Sequence, residues 1–170
     1  MQRVPLAVVI LAAGKGKRMN SELPKVVHPL GSKPLMSYIL DAVFSLNPDR
    51  VVAVVGYEAS SVSETFPDPK LEFAQQRELL GTGHAVLQTR DTLNDFTGNV
   101  LVVCGDMPFI KAETLNLLIQ TRLTIEFINL CCLEEILTIE FRLVVISSKY
   151  LSCCDFFCNL FSKIVQRFPQ

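Results

Sequence analysis

The residues with the clearest chemical potential lie in a glycine-containing loop near the start of the chain. The stretch "LAAGKGKRM" runs from apolar residues into Gly14 and Gly16 and carries three cations, Lys15, Lys17 and Arg18. Glycine permits a close backbone approach, so main-chain N–H groups can converge on phosphate oxygens. The loop fits neither the G-x-G-x-x-G fingerprint nor a Walker A sequence. It therefore indicates either an anionic ligand or a strand-to-helix turn with solvated cations.

Two further charged residues could complement this loop. Lys25 lies in "LPKVVHPLGSKPL", where three prolines stiffen the backbone and would hold a cation in place. The alternative is a surface lysine whose stem lies on the core. Asp106 ends the apolar stretch "VLVVCGD", a suitable position for a divalent metal, because Mg²⁺ usually takes one or two carboxylates plus phosphate and water. Asp106 could equally cap a helix that begins near Lys111.

A third polar cluster lies in "AQQRELLGTGHA". The amide of Gln76 carries both donors and an acceptor, which suits the edge of a nucleobase. Gly81 and Thr82 offer backbone groups at a predicted helix start, with Thr82 as the N-cap. A lone histidine at such a position is more often packed than catalytic, so we predict no chemical role for His84 or for His28.

Strand and helix signals alternate along residues 1–122. Continuous apolar runs, typical of strands covered on both faces, and helical stripes predict the following elements. Strands are expected within 6–13, 50–56, 70–76 and 99–106, and helices within 33–46, 59–66, 82–93 and 111–122. Pro34 suits the first turn of the helix at 33–46.

This alternation predicts an α/β fold, a Rossmann-like and mostly parallel sheet with helices on both faces. Ligands of such sheets bind beyond the carboxyl ends of the strands. Gly14 to Arg18 follow the first predicted strand, and Gly105 and Asp106 follow the strand at Val100 to Cys104. We therefore expect these two segments to meet at one edge of the sheet.

Charge and hydropathy limit the possible partners and location. The net charge of −1 provides no broad basic field, so we expect neither nucleic acid nor an anionic membrane as a partner. The apolar run from Leu6 to Ala13 is too short to span a bilayer, and the basic residues after it do not resemble a signal-peptide cleavage region. A cytoplasmic protein with free thiols rather than disulfides is the resulting expectation.

The composition changes after Arg122. All eight glycines lie at or before Gly105, whereas five of the six cysteines come after Arg122. We therefore predict two parts, a nucleotide-binding part at 1–122 and a divergent, non-homologous tail at 123–170, with weak β-rich signals in the tail. The alternative is that the tail forms a genuine but divergent edge of the sheet. The tail cysteines include two adjacent pairs, which do not have the C-x-x-C spacing that suits zinc.

Four segments together resemble a known family. "LAAGKGKRM", "LPKVVHPLGSKPL", "LLGTGHAV" and "VLVVCGDMPFI" occur in the order and spacing of sugar-nucleotide pyrophosphorylases. The match is closest to the MobA-like uridylyltransferase domain of the bacterial bifunctional N-acetylglucosamine-1-phosphate uridyltransferase/glucosamine-1-phosphate acetyltransferases. It covers roughly residues 6 to 122. The resemblance implies transfer of UMP from UTP to N-acetylglucosamine 1-phosphate with Mg²⁺, which releases pyrophosphate and UDP-N-acetylglucosamine.

The resemblance also implies a role for each matching residue. Arg18 and Lys25 would grip the phosphates as the catalytic cations, and Asp106 would hold the metal. The residues that would contact the nucleotide are Leu11, Ala12, Ala13 and Gly14, with Gln76, Gly81 and Thr82 at the uracil.

The chain departs from the family pattern at several points. Lys17 replaces a small hydroxyl residue, and Cys104 replaces an aromatic residue before the Gly-Asp pair. Residues 123–170 contain none of the glycine-bearing segments that line the family's sugar pocket, nor the later asparagine of its metal site. We therefore expect an incomplete domain without the trimer-forming acetyltransferase part, and the oligomeric state stays open. The alternatives are another sugar-phosphate or molybdenum-cofactor nucleotidyltransferase, or a non-catalytic nucleotide-binding remnant.

Overall fold

The computed structural model describes residues 3–14, 16, 19, 21, 23–56, 58–125 and 143–147, without the side chains of 121–125 and 143–147. The predicted positions of Lys15, Lys17 and Arg18 therefore lie outside the described residues, as does most of the 123–170 segment. Within the described ranges, no helix has the length and apolar character needed to cross a bilayer.

The described strands are β1 (Leu6–Ala12), β2 (Pro29–Leu30), β3 (Lys33–Pro34), β4 (Arg50–Val55), β5 (Leu71–Gln75), β6 (Asn99–Cys104) and β7 (Leu143–Ser147). Five of them form the sheet at the centre of the fold, in the order β5-β4-β1-β6-β7. The first four strands in this order run parallel, whereas β7 pairs antiparallel with β6. A small antiparallel pair, β2 and β3, lies apart from the sheet.

Within the ranges that the structure describes, four α-helices and a short 3₁₀ helix connect the strands. They are the 3₁₀ helix Lys25–Val27, α1 (Leu35–Ser45), α2 (Ala59–Thr65), α3 (Thr82–Leu87) and α4 (Ala112–Ile125). The predicted alternation of strands and helices is confirmed. The mostly parallel α/β sheet expected from that alternation is therefore the fold of the chain.

Alternate residues of β1 point into two separate cores. Val8 and Ile10 pack in a cluster with residues of α1, α2 and α4, whereas Ala7 and Val9 pack in a second cluster with Ala85 of α3. All four of these β1 residues have no exposed surface. Helices thus cover both faces of the sheet, which explains why the sequence of β1 is a continuous apolar run rather than an alternating one.

Both ends of α3 differ from the sequence prediction. Thr82 is the first residue of α3 rather than its N-cap, because Gly81 occupies the cap with φ 98° and ψ 179°, and no side chain bonds there. Residues that carry a side chain rarely adopt that backbone conformation. The glycine, not the threonine, therefore allows the chain to turn into the helix. The helix also ends at Leu87, and residues 88–95 form turns, so the helix predicted to residue 93 is too long.

Helix α1 begins one residue later than predicted, at Leu35. Pro34 is its N-cap and belongs to β3, whereas the sequence suggested the first helical turn. The apolar stripe is confirmed, since Met36, Ile39 and Val43 are fully buried against the sheet. The boundary moves because Pro34 pairs with Pro29 in the hairpin.

A close backbone contact at Gly98 generates a stability prediction. A Cβ added to Gly98 would lie 2.3 Å from the Pro5 carbonyl oxygen, which also accepts a hydrogen bond from Asn99 N at 2.9 Å. We expect Gly98→Ala to lower the free energy of unfolding by about 1–3 kcal/mol, because one of two paired backbones must shift. Urea denaturation measures this change.

The matched control is Gly14→Ala. A Cβ at Gly14 meets no atom of the described residues within 4 Å. We expect its effect on unfolding to stay below about 0.5 kcal/mol, as for an ordinary surface substitution. Equal losses in the two variants would contradict the proposed role of the Gly98–Pro5 contact.

Candidate active site

The carboxyl ends of β1 and β6 lie side by side, as the sequence predicts. Leu11 is in register with Cys104, and the N–H of Gly105 donates to the Leu11 carbonyl oxygen at 2.9 Å. The chain after β1 and the chain after β6 therefore leave the sheet at adjacent points. Asp106 follows directly on this contact.

Gly105 allows the 3₁₀ helix to lie close to this edge. A Cβ at Gly105 would lie 3.1 Å from Cγ1 of Val26 and 3.2 Å from the Leu11 carbonyl oxygen. Val26 is itself buried in the core that contains α1. The absence of a side chain at Gly105 thus lets the segment that carries Lys25 pack over the ends of β1 and β6.

Lys25 and Asp106 form an ion pair at this edge of the sheet. Lys25 Nζ donates to Asp106 Oδ2 at 2.6 Å, and the two side chains are 38% and 21% exposed. A charge-assisted hydrogen bond of this length is a strong, directional contact. The rigid proline segment and the strand end therefore bring together two residues that are far apart in the sequence.

Gly16 of the first loop lies directly against Lys25. Its φ is 58°, and a Cβ there would come within 3.1 Å of Cβ of Lys25. The Gly16 carbonyl oxygen accepts from Met19 N at 2.8 Å, which closes a turn. The predicted glycine loop thus reaches the Lys25–Asp106 pair. Arg18 lies outside the described residues, so its position relative to this pair stays a prediction.

The polar cluster around Gln76 lies at the same edge, two strands away. Ala12, Val55 and Gln75 are in register across β1, β4 and β5. Strands are spaced by about 4.8 Å, so the ends of β1 and β5 are about 10 Å apart. The distance between Gln76 and the segment Leu11 to Gly14 is therefore one that a single nucleotide can span.

Gln76 is nearly inaccessible, with 2% of its surface exposed. Its backbone N–H donates to the Val55 carbonyl oxygen at 2.8 Å. Its side-chain Nε2 lies 3.2 Å from the Gly81 carbonyl oxygen and 3.0 Å from His84 Nδ1. The structure thus brings together Gln76, Gly81 and the start of α3, where Thr82 lies.

His84 has a contact that the sequence does not indicate. Its ring lies between Gln76 and Gln88, whose Nε2 is 3.2 Å from His84 Nε2. The sequence predicts no chemical role for this histidine. The sequence contains one signal for this contact, because a glutamine expected at the end of a buried strand requires hydrogen-bond partners for its amide. His28 differs, because its buried Nε2 has no hydrogen bond within the described part of the chain.

The described side chains fit a metal that also binds a ligand. Asp106 supplies one carboxylate, and no group of three or more His, Cys, Asp or Glu residues occurs among the described residues. Mg²⁺ commonly binds one or two carboxylates together with substrate phosphates and water. The donor set at Asp106 therefore suits a metal that arrives with a phosphate, not one enclosed by protein ligands.

Comparison with known sequences identifies close relatives of part of the chain. The bifunctional protein GlmU of Synechococcus sp. (strain JA-3-3Ab) is 50% identical over 115 residues, which is 68% of this chain and 18% of that protein. The GlmU of Ralstonia nicotianae is 51% identical over 112 residues, 66% of this chain and 24% of that protein. The chain therefore spans about a quarter or less of the length of these two relatives.

Solved structures share the fold. The crystal structure of Rv0371c from Mycobacterium tuberculosis H37Rv superposes with a TM-score of 0.60 at 19% identity, over 72% of this chain and 62% of that one. A second structure, described as Rv0371c in complex with manganese, has a TM-score of 0.59 at 18% identity, over 71% of this chain and 61% of that one. At these identities the likeness supports the fold alone.

A family model provides the assignment. The model described as the MobA-like NTP transferase domain matches residues 8–127, which include the ends of β1, β5 and β6 and the Lys25–Asp106 pair. Because this match spans well over half of the sequence, the chain belongs to the MobA-like NTP transferase domain family.

Proposed function

We propose that this chain is a uridylyltransferase domain that transfers UMP from UTP to N-acetylglucosamine 1-phosphate. The observation that carries the proposal is the contact of Lys25 with Asp106 at the end of β6, beside the glycine loop. A cation, a carboxylate and exposed backbone at one strand edge suit a triphosphate and its metal. The sequence identity to GlmU proteins supports the choice of nucleotide and acceptor.

The proposed reaction requires no protein nucleophile. A phosphate oxygen of the sugar phosphate attacks the α-phosphorus of UTP, forming one P–O bond while the bond to the pyrophosphate oxygen breaks. Such transfers depend on positioning and on neutralisation of charge rather than on covalent catalysis. A magnesium ion at Asp106 would supply charge neutralisation at the phosphates.

Lys25 has the charge and the location for a phosphate contact. Its side chain is 38% exposed, so in the proposal it exchanges Asp106 for an incoming phosphate while its backbone stays in the rigid segment. In the proposal Lys25 and Arg18 neutralise the triphosphate, and the backbone of Leu11, Ala12, Ala13 and Gly14 lies against the nucleotide. The role of Arg18 rests on the family resemblance.

The base would occupy the Gln76 end of the same edge. Gln76, Gly81 and Thr82 are proposed to contact the uracil, about 10 Å from the phosphate end by strand spacing. The connection of Gln76 to Gly81 through a hydrogen bond supports treating them as one unit.

We also propose that the chain divides into a nucleotide-binding part at 1–122 and an unrelated segment at 123–170. The end of the family match at residue 127 supports this division. The acceptor sugar is assigned from the resemblance alone, because 123–170 lacks the family's sugar-pocket segments. That lack favours a second candidate function, a nucleotide-binding remnant without turnover. The cytoplasmic location stays a prediction.

One assay separates the two candidate functions. Purified protein is mixed with Mg²⁺, UTP and N-acetylglucosamine 1-phosphate, and pyrophosphate release is measured alongside UTP binding. The uridylyltransferase predicts release that depends on both substrates, whereas the remnant predicts UTP binding without release. If UTP at a hundred times an assumed micromolar Kd neither binds nor raises the melting temperature, the nucleotide site itself is wrong.

A lysine comparison tests the role of Lys25. We expect Lys25→Ala to lower kcat/KM about 100-fold or more, because one preorganised cation at the transferred phosphate is lost. If the protein binds UTP without turnover, we expect UTP affinity to fall about 10-fold. Steady-state kinetics and calorimetry measure these effects.

Lys33→Ala is the matched control. Lys33 is 37% exposed, against 38% for Lys25, and it also pairs with an aspartate, Asp41. Its Nζ lies 4.5 Å from the centre of the Tyr38 ring. Its replacement should change kinetics and affinity less than about twofold. Equal effects at the two positions would remove Lys25 from its proposed role.

A further inference from the structure

The side-chain amide of Gln76 has one possible orientation. The Gly81 carbonyl oxygen can only accept hydrogen bonds, so the amide atom 3.2 Å from it must be the nitrogen. The same nitrogen lies 3.0 Å from His84 Nδ1. Both hydrogens of the amide are thus directed at atoms of the protein. The carbonyl oxygen Oε1 is the remaining polar atom, and no described residue donates to it.

The tautomer of His84 follows from this orientation. An amide nitrogen cannot accept a hydrogen bond, so a hydrogen bond with Gln76 requires an unprotonated Nδ1 and puts the ring proton on Nε2, where it faces the amide nitrogen of Gln88. In the other tautomer the proton is on Nδ1. Nε2 could then accept from Gln88, but an N–H of His84 would face an N–H of Gln76. Gln88 has a second acceptor, the His84 carbonyl oxygen at 3.1 Å.

Burial decides between the two choices. Gln76 is 2% exposed, so a donor left without an acceptor there has no access to water. Gln88 is only half-buried, and its amide has the His84 carbonyl oxygen and solvent available. An unsatisfied buried donor costs more than a solvated one, so the tautomer that accepts from Gln76 is preferred.

We infer that His84 is a positioning residue for base selection, which rests on the function proposed above. By accepting from Nε2 beside the Gly81 carbonyl oxygen, it adds a second hydrogen bond that a flipped amide would lose, and so it favours the orientation that presents Oε1 rather than the NH2 group to the ligand. An isolated acceptor matches the N3–H of uracil. In cytosine the same ring position is an unprotonated nitrogen, so two acceptors would face each other. The Gln76–His84 unit therefore selects UTP over CTP.

The experiment measures the binding preference, not turnover. Calorimetry with Mg²⁺ gives the ratio of the Kd for CTP to the Kd for UTP in the full chain and in three variants. We expect the unmodified chain to favour UTP about 10- to 100-fold, the effect of one mismatched buried hydrogen bond. His84→Leu removes one of the two acceptors of the amide, and we expect its ratio to fall to about threefold or less, because a flipped amide that turns its NH2 group toward the base then loses one hydrogen bond to the protein instead of two.

Two variants separate positioning from a general structural effect. The side-chain oxygen of His84→Asn can accept near the position of Nδ1, so this variant should retain the preference. Gln88→Leu alters the other side of the ring, and it should also retain the preference. An unchanged ratio in His84→Leu, or equal losses in His84→Leu and His84→Asn, would overturn the positioning role. An equal loss in Gln88→Leu would do the same.

A spectroscopic measurement tests the inference in the unmodified chain, should His84→Leu fail to fold. Nitrogen NMR of the His84 ring should show an unprotonated Nδ1 and a protonated Nε2 at neutral pH. The reverse tautomer would overturn the inference and leave the proposed function standing. Absence of UTP binding by the unmodified chain would instead overturn the proposed function, and base selection with it.

Discussion

β1 is buried on both faces and paired at both edges, and the other features of the structure depend on this constraint. β4 and β6 pair with it in parallel register on its two sides, and α1 and α3 cover its faces. Such a strand has almost no freedom to move, because every displacement breaks ladder bonds and opens the packed core. The residues after Ala12 therefore leave the sheet at a fixed point, beside the start of the Gly105–Asp106 turn.

The two proposed ends of the nucleotide site have different physical characters. At the phosphate end, Lys25 and Asp106 are partly exposed and form an ion pair. A phosphate or metal would exchange one ionic partner for another, which avoids leaving an isolated charge. At the base end, Gln76 is buried and its hydrogens are already bound. Charge exchange thus serves affinity, whereas a fixed neutral amide serves selectivity.

Sequence reasoning predicted the elements well, because buried parallel strands have continuous apolar sequences and the connecting helices have apolar stripes. It also predicted that the Gly14 loop and Asp106 would meet, since parallel strands end at one edge. It was wrong at Thr82 and at the end of α3, where the backbone of Gly81 and a series of turns determine the structure. The contact of Gln76 with His84 could not be predicted from periodicity, because it depends on side-chain orientation across a loop.

The pairing of β7 with β6 has a consequence for how the 123–170 segment can vary. β7 covers the backbone groups along the outer side of β6, which would otherwise be an open edge that invites association with other chains. This protection requires only backbone hydrogen bonds and a short β-prone sequence. Many unrelated sequences meet that requirement, whereas few alternatives could fill the roles proposed for Lys25 and Asp106. The outer strand of the sheet can therefore change in sequence without altering the proposed site at the ends of β1 and β6.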